Sequence, residues 1–175
     1  MGVSKATALL GGVPLAQRAH APLRAAGLET AVVAKRGDPL PRLDAPVWIE
    51  SRGRRHPLAG ILEALERARG RAVLVCACDM PFVTVELVEH LAGLGESAVF
   101  EAGGRLHPLL ARYEQGTAEA LGTALDAGAP LHVAVREAGA TILPEQELAT
   151  FGDPERLLFN VNTPADLARA EDLLR

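Results

Sequence analysis

Aromatic side chains are scarce in this chain: one tryptophan, one tyrosine and four phenylalanines among 175 residues. Basic residues are not in excess either, and the formal net charge is −4. Nucleic-acid binding needs basic clusters to neutralise phosphates, and single strands also need aromatic stacking platforms, so this composition argues against a nucleic-acid partner. No apolar run approaches the roughly 18–20 residues that cross a bilayer, and the N-terminus lacks a charged-then-apolar stretch ending in small residues. A cytoplasmic chain without a membrane partner is expected. The only cysteines are Cys76 and Cys78. They lie too close along one strand-like segment for an unstrained disulfide, nothing supplies the other ligands of a zinc site, and both read as small core residues in a reducing compartment.

What is present is a hydrophobic content of 49%, dominated by Ala, Leu and Val, which suits helices packed closely on a sheet. The length predicts one domain over residues 1–175 with a substantial core. Helical spacing is expected over residues 14–26, with Pro22 kinking or dividing the helix, and over 57–69, 85–94, 117–125, 130–138 and 163–175. Strands are expected at 30–34, 47–49, 72–78, 97–101, 106–113, 141–143 and 157–161. The run 72–78 has no polar alternation, as in a strand buried on both faces. The alternation of strands with helices predicts an α/β fold, with a mostly parallel sheet covered on both sides and ligands bound beyond the strands' carboxyl ends.

That geometry selects the candidates. Asp79 directly follows the apolar run, where a carboxylate can help hold Mg²⁺ beside substrate phosphates; the competing role is a cap for the turn at Met80-Pro81. Asn160 and Asn162, two apart in a strand-like segment, share one side and can converge on a ligand, or serve as turn and cap residues. Lys5 precedes Gly11-Gly12 and offers a compact cation for polyphosphate. Arg52, Arg54, Arg55 and His56 lead into the helix at Pro57, whose N-terminus favours anions. His107, after the Gly103-Gly104 turn, can hydrogen-bond a ligand.

In order and spacing, these segments resemble the molybdenum cofactor guanylyltransferases, the MobA family of nucleotidyltransferases. Met1-Gly2-Val3-Ser4-Lys5-Ala6 resembles the end of the signature L-A-G-G-x-S-x-R-M-G-x-x-K-A, Gly12-Val13-Pro14-Leu15 the following G-x-P-L, and His56-Pro57-Leu58-Ala59-Gly60 the element G-P-L-A-G. Cys78-Asp79-Met80-Pro81-Phe82 resembles C-D-x-P-[FY], Arg105-Leu106-His107-Pro108 is similar to R-x-H-P on the pterin side, and Asn160-Val161-Asn162-Thr163-Pro164 matches N-V-N-T-P. There are departures: His56 stands where the family usually has Gly, Glu50 where it commonly has Asp near the nucleotide, and Lys35-Arg36 lacks a frequent Asn. The upstream strand and the Gly-rich loop of the signature are absent.

The resemblance implies a three-layer, Rossmann-like nucleotidyltransferase fold without the family's first, mid-sheet strand. It implies transfer of GMP from GTP to the molybdopterin form of the molybdenum cofactor, releasing pyrophosphate. Lys5, Asp79, Asn160 and Asn162 would be catalytic, with Asp79 holding Mg²⁺. Gly2, Lys5, Glu50, Pro57, Leu58, Gly60, Asp79, His107 and Asn162 would contact nucleotide or pterin. The expected partners are these small molecules, with the protein a monomer or weak homo-oligomer. The chain as it stands is expected to be an impaired catalyst relative to one extended upstream. The alternatives are a transferase using CTP or another phosphorylated acceptor, and a pterin-holding or regulatory module.

Overall fold

The computed structural model describes residues 5–53 and 56–175. Gly2, with the rest of residues 1–4, and Arg54 and Arg55 lie outside the described residues. Lys5–Thr7 form a 3₁₀ turn, followed by a hairpin of β1 (Leu9–Leu10) and β2 (Val13–Pro14) that the sequence reading did not anticipate. Gly11 and Gly12 make its turn at φ +57° and +75°, the left-handed conformation that glycine adopts without strain. Helix α1 (Leu15–Ala25) runs through Pro22 undivided. The chain is not divided there, although Pro22 has no N–H to give the Arg18 carbonyl: the next turn still closes, with the Ala26 N–H 3.0 Å from the Pro22 carbonyl.

Strands β3 (Val32–Ala34) and β4 (Val47–Ile49) pair in parallel. Helix α2 (Pro57–Arg67) then leads to β5 (Val73–Cys76), and α3 (Val85–Gly93) to the hairpin of β6 (Ala98–Ala102) and β7 (Arg105–Tyr113). Helices α4 (Ala118–Ala127) and α5 (Leu131–Glu137) precede β8 (Thr141–Pro144), and α6 (Glu145–Leu148), α7 (Pro154–Leu157) and α8 (Pro164–Leu173) complete the order.

The larger sheet has the order β5-β7-β6-β8, with β7 antiparallel to both neighbours and β6 parallel to β8. It is therefore mixed where the alternation predicted mostly parallel pairing: the Gly103-Gly104 turn folds β7 back along β6, whereas β5, β6 and β8 share one direction. Side-chain alternation divides the core into two faces. Val73, Val75, Val99, Ala111 and Tyr113 meet α2, α4 and α5 on one side. Leu74, Cys76, Ala98, Phe100, Leu110 and Leu143 meet α3, α6 and α7 on the other. This is the three-layer α/β arrangement.

Strand β5 is only half-buried along its length, although its composition predicted burial on both faces. Its outer edge does not pair with β3 among the described residues; a cleft of about 600 Å³ lies between them, lined by Val32, Val33, Leu74 and Cys76. Glu29 and Arg71, each just before its strand, pair at one end of this break, while Glu50 and Asp79 line the other. The strand expected at 157–161 does not form. Asp153 Oδ1 accepts the Glu155 N–H at 3.1 Å with Pro154 in the first turn, which starts α7 and leaves the following residues as a loop.

Candidate active site

Segments distant in sequence meet beyond the carboxyl end of β5. The Lys5 ammonium lies 3.1 Å from Asp79 Oδ2 and donates a second hydrogen bond to Asn162 Oδ1. Each partner is delivered by its own local structure. Ala77 still bonds to β7, its N–H 2.8 Å from the Leu109 carbonyl, and the Met80 N–H turns back to the Ala77 carbonyl at 3.2 Å. Asp79 therefore emerges at the corner where the apolar strand stops. The Asp79 carbonyl accepts the N–H of buried Val161 at 2.9 Å, which ties this corner to the loop carrying the asparagines.

Asn162 is set by the start of α8. The Thr163 hydroxyl accepts the Asp166 N–H, and Asp166 Oδ2 accepts the N–H groups of Thr163 and Asn162 at 2.8 and 3.0 Å. This reciprocal cap fixes the Asn162 backbone and leaves its amide facing Lys5. Asn160 is placed differently: its Nδ2 donates to the Leu158 carbonyl at 2.7 Å. The segment is a loop and not the extended strand expected, and only the Asn162 amide contacts Lys5.

The second group of candidates surrounds the N-terminus of α2. Glu50, Pro57 and Gly60 line the cleft together with Asp79. A Cβ on Gly60 would sit 3.2 Å from Glu50 Oε1, so the missing side chain lets the carboxylate lie against the helix. Burial pushes the Glu50 carboxyl above its ordinary value, Asp38 and Glu63 add to the rise, and Lys35 opposes it. His56 caps the helix, its Nδ1 accepting the Leu58 N–H at 3.2 Å. Leu58 is fully buried and does not line the cleft.

His107 stands apart from both groups, with Nε2 3.2 Å from the Ala102 carbonyl across the β6–β7 turn, and burial lowers its basicity. Burial also pushes the Cys76 thiol up to about 12 and raises that of Cys78, so neither is a ready thiolate. The sequence reading missed Glu63, a buried carboxylate held by Ser51 and Arg67. The available signal was a carboxylate within the otherwise uncharged run from Pro57 to Leu65 of α2.

Among the described residues, no group of three or more His, Cys, Asp or Glu side chains is placed to hold a metal ion. The Asp79 carboxylate and the Asn162 amide oxygen are hard donors of the kind Mg²⁺ uses when substrate phosphates supply much of its shell. Lys5 adds a positive charge beside them, so the corner can hold a polyanion together with a cation. Among the described residues, no helix is long and apolar enough to cross a membrane.

Comparison with known proteins places the chain in a family. A family model for the MobA-like NTP transferase domain matches residues 1–141. A molybdenum cofactor guanylyltransferase of Cereibacter sphaeroides is 39% identical over 181 aligned residues, covering 99% of this chain and 90% of that protein. The crystal structure of molybdopterin-guanine dinucleotide biosynthesis protein A from Archaeoglobus fulgidus superposes with a TM-score of 0.79 at 28% identity, covering 97% of this chain and 90% of the other. The 2-C-methyl-D-erythritol 4-phosphate cytidylyltransferase of Thermus thermophilus shares the fold, with a TM-score of 0.71 at 24% identity over 97% of this chain and 92% of that one.

Proposed function

The chain belongs to the MobA-like NTP transferase family, and from that premise we propose that it transfers GMP from GTP to the molybdopterin form of the molybdenum cofactor. An oxygen of the acceptor's terminal phosphate forms a bond to the α-phosphorus of GTP, the bond from that phosphorus to the α–β bridging oxygen breaks, and pyrophosphate leaves. The products are the guanine dinucleotide cofactor and pyrophosphate. The observation that carries this reading is the convergence of Lys5, Asp79 and Asn162 beyond one strand end.

Two anions must approach each other in this reaction, so positioning and charge neutralisation matter more than a protein nucleophile. Lys5 neutralises the triphosphate. Mg²⁺, held by Asp79 with Asn162 completing its oxygen shell, would supply further neutralisation. Asn160, whose Nδ2 is engaged by the Leu158 carbonyl, would serve through its amide oxygen, and Glu50, with the first turn of α2 at Pro57 and Gly60, faces the base. A carboxylate suits guanine, which presents two adjacent N–H donors on its Watson–Crick edge. His107 serves the pterin side. The protein acts in the cytoplasm as one nucleotidyltransferase domain over residues 1–175, with small-molecule substrates.

The test is Mg²⁺-dependent turnover of GTP, CTP and ATP with the molybdenum-loaded pterin as acceptor. The reading expects GTP to be preferred. It also expects Asp79→Asn to lower the rate by roughly 10²-fold or more with an unchanged melting temperature. Preference for CTP, or undiminished turnover in folded Asp79→Asn, would overturn it.

A further inference from the structure

Glu63 is the one charged residue buried among the described residues, at 3% exposure, and it takes no part in the chemistry above. It lies on the flank of α2, turned about 100° or more around the helix from the stripe of Leu58, Ile61, Leu62 and Leu65 that enters the core. Its Oε2 accepts the Ser51 N–H at 3.0 Å and the Ser51 hydroxyl at 2.7 Å, while Oε1 accepts the Arg67 Nε–H at 2.6 Å. The Arg67 guanidinium in turn lies over the Trp48 ring, 5.9 Å from its centre. The clamp therefore grips the end of β4 on both sides of Ile49-Glu50. One residue further along, Arg52 pairs with Glu66 of the same helix at 3.6 Å.

Stability alone does not call for this arrangement, since a well-packed apolar residue commonly serves as well as a buried ion pair. What the pair adds is a fixed position for the backbone beside Glu50. Glu50 itself packs against the first turn of α2 at Gly60, so both ends of its reach are referred to one helix. We propose that Glu63 is a positioning residue: by holding Ser51 it aims the Glu50 carboxylate at the base, and so sets selection for a purine with adjacent N1–H and 2-amino donors over adenine. This rests on the reading of GTP as substrate and of Glu50 as the residue facing its base.

The experiment measures dissociation constants for GTP, ITP and ATP with Mg²⁺ in the unaltered chain and in E50A, E63A, E63Q and S51A, with melting temperatures recorded for each. E63A is expected to weaken GTP roughly tenfold and leave ATP unchanged, the scale on which a displaced positioning group acts. ITP, which lacks the 2-amino donor, should lose less than GTP. E63Q keeps an oxygen that accepts the Ser51 N–H, so it should retain most of the selectivity. S51A, which loses only the hydroxyl contact, should fall between E63A and the unaltered chain, and keeps the inference testable if E63A does not fold. Equal weakening of GTP and ATP in these variants, or unchanged selectivity where E50A abolishes it, would overturn the positioning role. Selectivity unaffected by E50A would overturn it through the Glu50 reading, and absence of GTP binding by the unaltered chain would overturn the substrate reading itself.

Discussion

At Gly60 the requirements of helix stability and of the site oppose each other. Alanine is the better helix former by up to about 1 kcal/mol, and Gly60 does not need a positive φ, so Gly60→Ala should leave the melting temperature equal or slightly higher. Its methyl group would meet Glu50 Oε1 at 3.2 Å and force the carboxylate aside. The expected outcome is a several-fold rise in KM for GTP with little change in kcat, read from initial rates; an unchanged KM would show that Glu50 does not touch the base. Glu63 gives a pH signature. Burial pushes its carboxyl up, but hydrogen bonds from Arg67 and Ser51 outweigh this and hold it below the ordinary glutamate value. A group lowered on folding contributes stability that is present above its unfolded value and is lost as pH falls through the lower folded value. Glu50, raised on folding, has the opposite sign: its contribution is present below the unfolded value and is lost as pH rises through the folded one. Melting temperature should therefore fall less steeply with acidification in Glu63→Gln than in the unaltered chain, and an equal slope would contradict the assignment.

Among the elements, α8 shows local chemistry setting up a distant contact. Thr163 followed by Pro164 was readable as a helix start, because a hydroxyl cap accepts from one donor that the helix leaves open and a proline in the first turn removes another. The reciprocal bond from Asp166 completes it. Thr163→Ala should destabilise the protein by about 1 kcal/mol, seen as a lower denaturant midpoint at unchanged slope. It should also loosen the adjacent Asn162 and slow transfer by more than the stability loss explains; unchanged kcat would detach the cap from the site. The segment before it was misread, since Leu157, Phe159 and Val161 alternate as a strand would. Asp153-Pro154 had already started a short helix there, and a cap with proline outweighs a brief apolar alternation.

On the scale of the whole molecule, the break between β3 and β5 stands out. Ala77 bonds to Leu109 across the β5–β7 pair, so by antiparallel alternation Val75 and Val73 also face β7, and Leu74 and Cys76 direct their backbone groups toward the cleft. Native-state amide exchange should be at least several-fold faster at Leu74 and Cys76 than at Val73 and Val75. Equal protection would mean that another segment covers this edge. Apolar composition fitted β5 for burial on both faces, but composition does not say which neighbour is there to bury it.

By itself the sequence determined the α/β class, most of the helices and their caps, and Asp79 at the corner after an uninterrupted apolar run. Propensity, capping and hydrophobic period act over a few residues, so they are written locally. The tertiary structure decided which candidates meet. Lys5, Asp79 and Asn162 come together across separations of 74 and 157 residues, and Asn160 stays with its own turn. It also left the outer edge of β5 without a strand partner among the described residues and placed a buried carboxylate, Glu63, behind Glu50. These outcomes depend on how layers pack and where the chain returns, and such contacts carry no signature within a short stretch of sequence.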